Sequence, residues 1–312
     1  MKNDALSQIL DALRLKGSVY FHTQFNPPWG VRVPAYGNVA RFHMAMRGDC
    51  WLRVADIGEP IHLTTGDLAV IPHGASHILS DTPDREALDV DQVVSVSGYA
   101  GEGALAYGGE DTGHACRLFC GHFEFEEGAM HPILDALPQV FHIPNTQTMN
   151  TTWLDSVMRF VSAEVNGANA GSDAIVHRLS EIVFIQVVRV LVDTAGDAAG
   201  SLAGILDPKI GQCLSKVHLE PNRPWTVESM AGEAGMSRTS FAERFTSLMG
   251  MTPLAYVTQW RMQRARRDLI ETDQPLIAIA EQVGYGSEAA FNRAFKRHFD
   301  VTPGETRRAR SR

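Results

Sequence analysis

The spacing of apolar positions changes character along the chain. Between about residues 18 and 142, short apolar stretches (VYFHTQF, ARFHMAM, CWLRVAD, DLAVIPH, QVVSVS, CRLFCGHFEF) are separated by Gly, Pro and Asp. That is the pattern of strands in a sandwich or barrel. Two strand-turn-strand units are expected, around Gly48 and Asp49 and around residues 56–60. The glycine-rich segment Gly98–Gly113 reads as a surface loop. From Thr151 the period becomes helical, with Leu154, Val157, Met158, Val161 and Val165 on one face. A second helix, about Ser172–Val192, carries Ile175, Val176, Leu179, Ile182, Val183, Val187, Val188 and Leu191. Its apolar surface exceeds one face, which predicts packing in a core or against another subunit. The stretch TAGDAAGSLAG (194–204) is nearly featureless and is the expected linker. The first 17 residues form a polar-faced helical pattern without a signal-peptide core.

Residues 208–312 contain an internal repeat. VESMAGEAGMSRTSFAERFTSLMGMTP (227–253) aligns with IAIAEQVGYGSEAAFNRAFKRHFDVTP (277–303). Ala231 and Ala280 are 49 residues apart, as are Gly235 and Gly284, whereas Phe245 and Phe295, and Pro253 and Pro303, are 50 apart. In each copy a short helix ends at a glycine suited to a left-handed turn, Gly235 or Gly284. A serine then caps the next helix, Ser237 or Ser287. That helix carries apolar residues four apart, Phe241 and Phe245 or Phe291 and Phe295, so these aromatics belong to a core rather than to base stacking. Helix, glycine turn and capped helix make a helix-turn-helix. Between the copies Thr252 and Pro253 open one long helix through Trp260 and Leu269 to about Glu271. At 1.5 Å per residue it spans roughly 27 Å, which suits two recognition helices about one DNA turn apart.

The chain has 312 residues, 44% hydrophobic and 21% charged, enough for two or three domains and too apolar for wholesale disorder. No apolar run approaches the roughly 20 residues a bilayer span needs. Four cysteines do not make a disulfide scaffold, which points to a reducing cytoplasm. The net charge of -8 conceals a partition. Residues 1–207 carry 12 Lys and Arg against 25 Asp and Glu, a balance of -13; residues 208–312 carry 16 against 11, a balance of +5. An acidic body joined to a basic tail points to nucleic-acid binding by the tail.

The tail, from PWTVESMAGEAGMSRTSFAERF through AEQVGYGSEAAFNRAFKRHFDVTPGETRR, resembles the DNA-binding domain of the AraC/XylS family of transcription regulators. The resemblance implies recognition helices at about Arg238–Leu248 and Glu288–His298. It makes Arg238, Thr239, Ala242, Glu243, Glu288, Ala289, Asn292 and Arg293 the base-reading candidates. Arg244, Arg261, Lys296 and Arg297 are the expected phosphate contacts. Arg264, Arg266 and Arg267 are divided between phosphate contact and pairing with Asp268 or Glu271.

In the first half, GDLAVIPHGASH (Gly66, Pro72, Gly74, His77) resembles the second signature of cupin barrels. The first signature is incomplete: His43 is present, but Arg41 stands where an acidic ligand is usual. The half as a whole resembles the cupin-type sensor domains of some AraC-type regulators, whose N-terminal domain commonly binds an effector. Two uses of the barrel stay open. His43, His77 and Cys120 have the donor types for Zn²⁺. Their bland alternative is a set of buried, hydrogen-bonded core residues. A small-molecule pocket would draw on His22, His43, Trp51, His77 and Tyr107.

The expected architecture is α+β and multidomain. It comprises an antiparallel cupin-like sensor barrel (1–148), a helical dimerisation segment (149–193), a linker (194–207) and an all-α double helix-turn-helix domain (208–312). The expected partners are double-stranded DNA, a small-molecule effector, a second copy of the chain and, for an activator, RNA polymerase; no membrane is expected. The rival reading is a metal-dependent cupin enzyme, which the missing ligand set disfavours.

Overall fold

A computed structural model describes residues 4–13, 16–37, 39–101, 103–111, 113–124, 134, 137–145, 152–167, 169–195 and 200–309. The chain divides into two units, Leu15–Glu127 with Leu137–Leu191, and Met1–Arg14 and Gly128–Ala136 with Val192–Arg312. The boundaries expected at 148/149 lie outside the described residues.

The first unit is built on β1 (Lys16–Asn26), β2 (Gly30–Val33), β3 (Val39–Arg47), β4 (Asp49–Val54), β5 (Ile61–Thr64), β6 (Leu68–Ile71), β7 (His77–Ser80), β8 (Leu88–Asp89), β9 (Leu105–Gly108), β10 (Arg117–Glu124) and β11 (Phe141–Ile143). One sheet has the order β11-β6-β3-β10-β1-β9, the other β5-β4-β7-β2-β8. Alternation along β4 places Cys50, Leu52 and Val54 inward, while Asp49, Trp51 and Arg53 face outward. Inward residues of both sheets, among them Phe25, Val31, Ala45, Leu52, Leu79 and Leu118, form one core between them. Cys116, Leu118 and Cys120, spaced two apart, share that core.

Three local expectations are corrected. QVVSVS is not a strand: Val90–Ser97 is helix α2, with the Gln92 side chain accepting from Asp89 N–H and Gly98 closing it at φ 68°. Val90, Val93 and Val94 fit a helical face as well as they fit alternation, so letters alone do not separate the two. The Gly98–Gly113 segment is not all loop, because β9 pairs in parallel with β1. β8 likewise pairs in parallel with β2, so the barrel is antiparallel except at these two edge strands. Each parallel pair joins strands far apart in sequence, with other strands of the chain in the crossover between them.

The outer face of the six-stranded sheet is aromatic. Phe42 stacks on Phe123 at 4.8 Å, and Phe123 meets Phe184 at 5.1 Å. Phe184 lies on α4 (Ser172–Ala195), which follows α3 (Thr152–Gly167). Leu154, Val157 and Val161 are buried on α3 as expected; the side chains of Met158 and Val165 lie outside the described set. On α4, Val176, Val183, Val187, Val188 and Leu191 are buried, while Ile175 and Ile182 remain 43% and 45% exposed.

The second unit is helical among its described residues. Its elements are α1 (Ala5–Leu13), α5 (Ser201–Leu206), α6 (Pro208–Leu219), α7 (Val227–Glu233), α8 (Arg238–Met249), α9 (Pro253–Glu271), α10 (Leu276–Gln282), α11 (Glu288–Phe299) and α12 (Pro303–Ala309). Two departures from the expected domain limits appear here. The N-terminal helix α1 packs on α5, α6 and α9, burying Ala5, Leu6 and Ile9. Residues 201–206, inside the expected linker, form a helix with Leu202 and Ile205 buried. Small residues make this contact close: a Cβ at Gly204 would stand 3.1 Å from that of Leu248. No helix among the described residues is long and apolar enough to cross a membrane.

Candidate DNA-binding face and barrel cavity

Each repeat copy folds as its sequence dictates. Gly235 and Gly284 turn the chain at φ 60° and 82°, in the left-handed region that a side chain disfavours. Gly284 also abuts the Arg261 guanidinium, so an added Cβ there has no room. The Ser237 side chain accepts from Ser240 N–H at the start of α8, and the Ser287 side chain from Ala290 N–H at the start of α11. Phe241, Phe245, Phe291 and Phe295 are fully buried, which places them in the core and not on a nucleic-acid surface. The 19-residue α9 packs against the helices of both copies and runs roughly 28 Å.

The opposite face of each recognition helix is polar. Arg238, Thr239 and Glu243 on α8 are exposed, as are Glu288, Ala289 and Arg293 on α11; Ala242 and Asn292 are half-buried. Asn292 Oδ1 has no hydrogen-bond partner among the described residues. An asparagine amide offers an acceptor beside a donor, the pairing that adenine presents in the major groove. Lys296 and Arg297, in the last turn of α11, are exposed too.

Two of the expected phosphate contacts are occupied within the fold. Arg244 pairs with Asp207, the N-cap of α6, through Nε at 3.1 Å and through Nη2. Burial would raise the Asp207 carboxyl, but the Ile210 and Lys209 amides and Arg244 outweigh it and hold it low. Arg261 donates to the Pro221 carbonyl at 2.7 Å and the Arg223 carbonyl at 2.8 Å, staking the loop before α7. Helical spacing shows that both are polar; the tertiary contacts that engage them are non-local. Arg264 and Arg267 pair with Asp268 and Glu271 along α9, and Arg266 lies over the Phe299 ring. Asp268 is buried, and burial raises its carboxyl despite these partners.

In the barrel, His43 on β3 stands opposite Cys120 on β10, and His77 opens β7. His77 Nδ1 lies 2.9 Å from the Ala75 carbonyl, His43 Nε2 lies 2.8 Å from His77 Nε2, and His43 Nδ1 lies 3.2 Å from Cys120 Sγ. A carbonyl only accepts, so the chain of donors is fixed: His77 Nδ1–H donates to Ala75, His43 Nε2–H to His77, and the Cys120 thiol to His43. Both rings are neutral in this arrangement. Burial, the neighbouring His77 and the Arg41 charge hold His43 well below the usual imidazole range. Burial foremost brings His77 down to about 4. Burial and Cys116 push the Cys120 thiol up, against the pull of Arg41.

His43 and Cys120 also reach a cavity of about 190 Å³ in the barrel. Its walls are chiefly apolar, with Phe25, Val31, Val33, Leu79, Val94 and Leu105. Its charged lining residues are Arg41 on β3 and Asp91 in the first turn of α2. The Arg41 guanidinium sits 4.4 Å from the centre of the Tyr36 ring, which also lines the space.

Residues 4–193 match the cupin family, and residues 230–309 match a helix-turn-helix domain family. An AraC-like transcription regulator of Streptomyces lividans is 33% identical over 306 residues, 98% of each chain. The chain belongs to the AraC family of transcription regulators. The regulator AlkR of Acinetobacter baylyi is 31% identical over 302 residues, 96% of this chain and 97% of its own. The solved DNA-binding domain of AdpA in complex with a target DNA is 30% identical, with a TM-score of 0.32, covering 33% of this chain and 92% of its own.

The regulator therefore carries an N-terminal cupin domain and a C-terminal double helix-turn-helix, and it binds DNA. The Zn²⁺ ligand set does not fit. His43 turns opposite ring nitrogens to Cys120 and to His77, so the three donors do not converge on one point. Among the described residues no group of three or more His, Cys, Asp or Glu is placed to hold a metal ion. The pocket residues expected from sequence are also dispersed. His43 lines the cavity, but His22 lines a different one, beside Met46 and Val161. Trp51 faces outward and stacks on His62 at 4.5 Å, and His77 is buried behind His43. Tyr107 packs edge-on against Phe25 at 6.2 Å. Arg41 was legible only as a missing acidic ligand; its strand parity with His43 is the signal that places both on the lumen side.

Proposed function

We propose that the regulator reads specific DNA sites with α8 and α11 together and that a small molecule in the barrel cavity biases that binding. The observation that carries the reading is the pair of matched recognition helices, each with a buried Phe pair and an exposed arginine, Arg238 at the first position of α8 and Arg293 at the sixth of α11. Arg238 and Arg293 take guanine edges in this reading, and Asn292 takes adenine. Thr239, Ala242, Glu243, Glu288 and Ala289 complete the base-facing surface, with Lys296 and Arg297 on phosphates. The +5 tail supplies modest nonspecific attraction, so tight binding needs both helices.

The helices α3 and α4 carry the contact with a second copy. Phe160 on α3 is 61% exposed, and Ile175 and Ile182 on α4 lie open to solvent. A dimer in sedimentation supports this assignment, and a monomer at all concentrations contradicts it.

Binding-site selection from randomised duplex DNA with the full-length protein tests the main reading. Two half-sites about one helical turn apart, roughly 34 Å, are expected. Failure to bind any duplex even at low salt contradicts it.

A further inference from the structure

We infer that the barrel cavity is a site for a small organic monoanion, a carboxylate carried on a compact apolar body. For its regulatory consequence the inference rests on the effector reading above; for binding it stands alone.

Size sets the first limit. A dry cavity of about 150 Å³ accommodates one benzene. The barrel cavity, at about 190 Å³, takes such a ring and a few atoms more. The walls set the second. Seven of the lining side chains are aliphatic or aromatic hydrocarbon, and His43 has both ring nitrogens engaged by Cys120 and His77. The body of a ligand therefore meets few groups that demand a hydrogen bond, and a polar body would leave its own groups unsatisfied.

Charge sets the third. Arg41 and His43 are two apart on β3 and both line the cavity, while the intervening Phe42 stacks on the far side of the sheet. The Arg41 charge reaches deep into the barrel: it lowers His43, His77 and His122 and opposes the rise of Cys120. With both histidines neutral, the fixed positive charge on the cavity wall is that of Arg41. A carboxylate matches a guanidinium, and the shared low-dielectric wall strengthens the pairing. Asp91, the acidic lining residue, repels a second carboxylate and so selects a monoanion over a dianion.

Calorimetry on the full-length protein tests this with three probes: cyclohexanecarboxylate, its neutral isostere cyclohexanecarboxamide, and cyclohexane-1,2-dicarboxylate. The monocarboxylate is expected to bind at least tenfold tighter than the amide and the dicarboxylate. Arg41→Gln should level the acid and the amide, Arg41→Lys should keep the preference, and Val94→Trp, which fills the cavity from α2, should abolish binding of all three. Circular dichroism checks that each variant is folded, and the Val94 and Lys variants decide the matter if Arg41→Gln is not. Equal binding of acid and amide, a preference that survives Arg41→Gln, acid binding unaffected by Val94→Trp, or no binding of any probe would overturn the inference. DNA affinity, measured with and without each probe, separates the two readings. Acid that binds at Arg41 without altering DNA affinity removes the effector reading and leaves the site. An amide that binds as well as the acid and alters DNA affinity removes the monoanion inference and leaves the effector reading.

Discussion

In the barrel, His43, His77 and Cys120 are at most 6% exposed and use their hydrogen-bonding capacity on one another, on Ala75 and around one cavity. In the helical repeat the order is inverted: Phe241, Phe245, Phe291 and Phe295 fill the interior, and Arg238, Arg293, Lys296 and Arg297 stand in solvent. The barrel thus holds its polar chemistry around an interior cavity, and the repeat holds it on an open helical face. The difference teaches which substitutions should move stability and which should move binding. A residue inside either core acts through folding. On the proposed reading, a residue on the open faces of α8 and α11 acts through DNA.

The largest expected effect comes from the repeat's interior. Phe291→Ala should cost about 3–5 kcal/mol of stability, because a fully buried ring leaves a cavity. Chemical denaturation measures it, and a loss below about 1 kcal/mol would show that Phe291 is not the core residue its burial implies.

Acid probes the barrel's interior. His43 and His77 sit below their ordinary range when folded, so the unfolded chain takes up their protons first. Their contribution is present above about pH 6.5 and is lost as pH falls toward 4, at up to about 1.4 kcal/mol per pH unit for each histidine. Denaturation between pH 7.5 and 5 should show that slope, and His77→Gln should reduce it. An unchanged slope in the variant breaks the contrast between the two regions.

Arg293→Ala should weaken binding to a selected site by about 1–3 kcal/mol and relax the preference at one base pair, with no change in melting temperature. Comparable losses on every sequence would move Arg293 from base reading to phosphate contact.

The smallest effects separate arginines that look alike in sequence. Lys296→Ala with Arg297→Ala should reduce the salt slope of DNA binding by about two. Arg244→Ala should leave that slope unchanged and cost less than about 1 kcal/mol of stability, since its partner-facing side chain is half in solvent. A reduced salt slope in the Arg244 variant would return it to the phosphate contacts.

How far each region was legible follows from the range of its signals. The repeat was readable because its determinants are local: Ser237 caps Ser240, Gly235 turns the chain, and Phe241 and Phe245 are one turn apart. The strands were readable for the same reason. The valines of α2 misled because one set of letters satisfies two periods. The barrel site was only half legible, since His43 meets Cys120 through pairing of strands 77 residues apart. No local spacing states that His43 would offer different nitrogens to Cys120 and His77, which is what excludes a shared ion. Arg244 and Arg261 were legible as polar residues but not as partners of Asp207 and Pro221, which lie 37 and 40 residues away.

The central claim is that two recognition helices act on one duplex at once. Full-length protein should be titrated against its selected site and against the same site with five base pairs inserted between the half-sites. Half a turn puts one half-site on the far side of the helix, so affinity should fall at least a hundredfold toward the single-helix value. Equal affinity for the two duplexes would contradict the account.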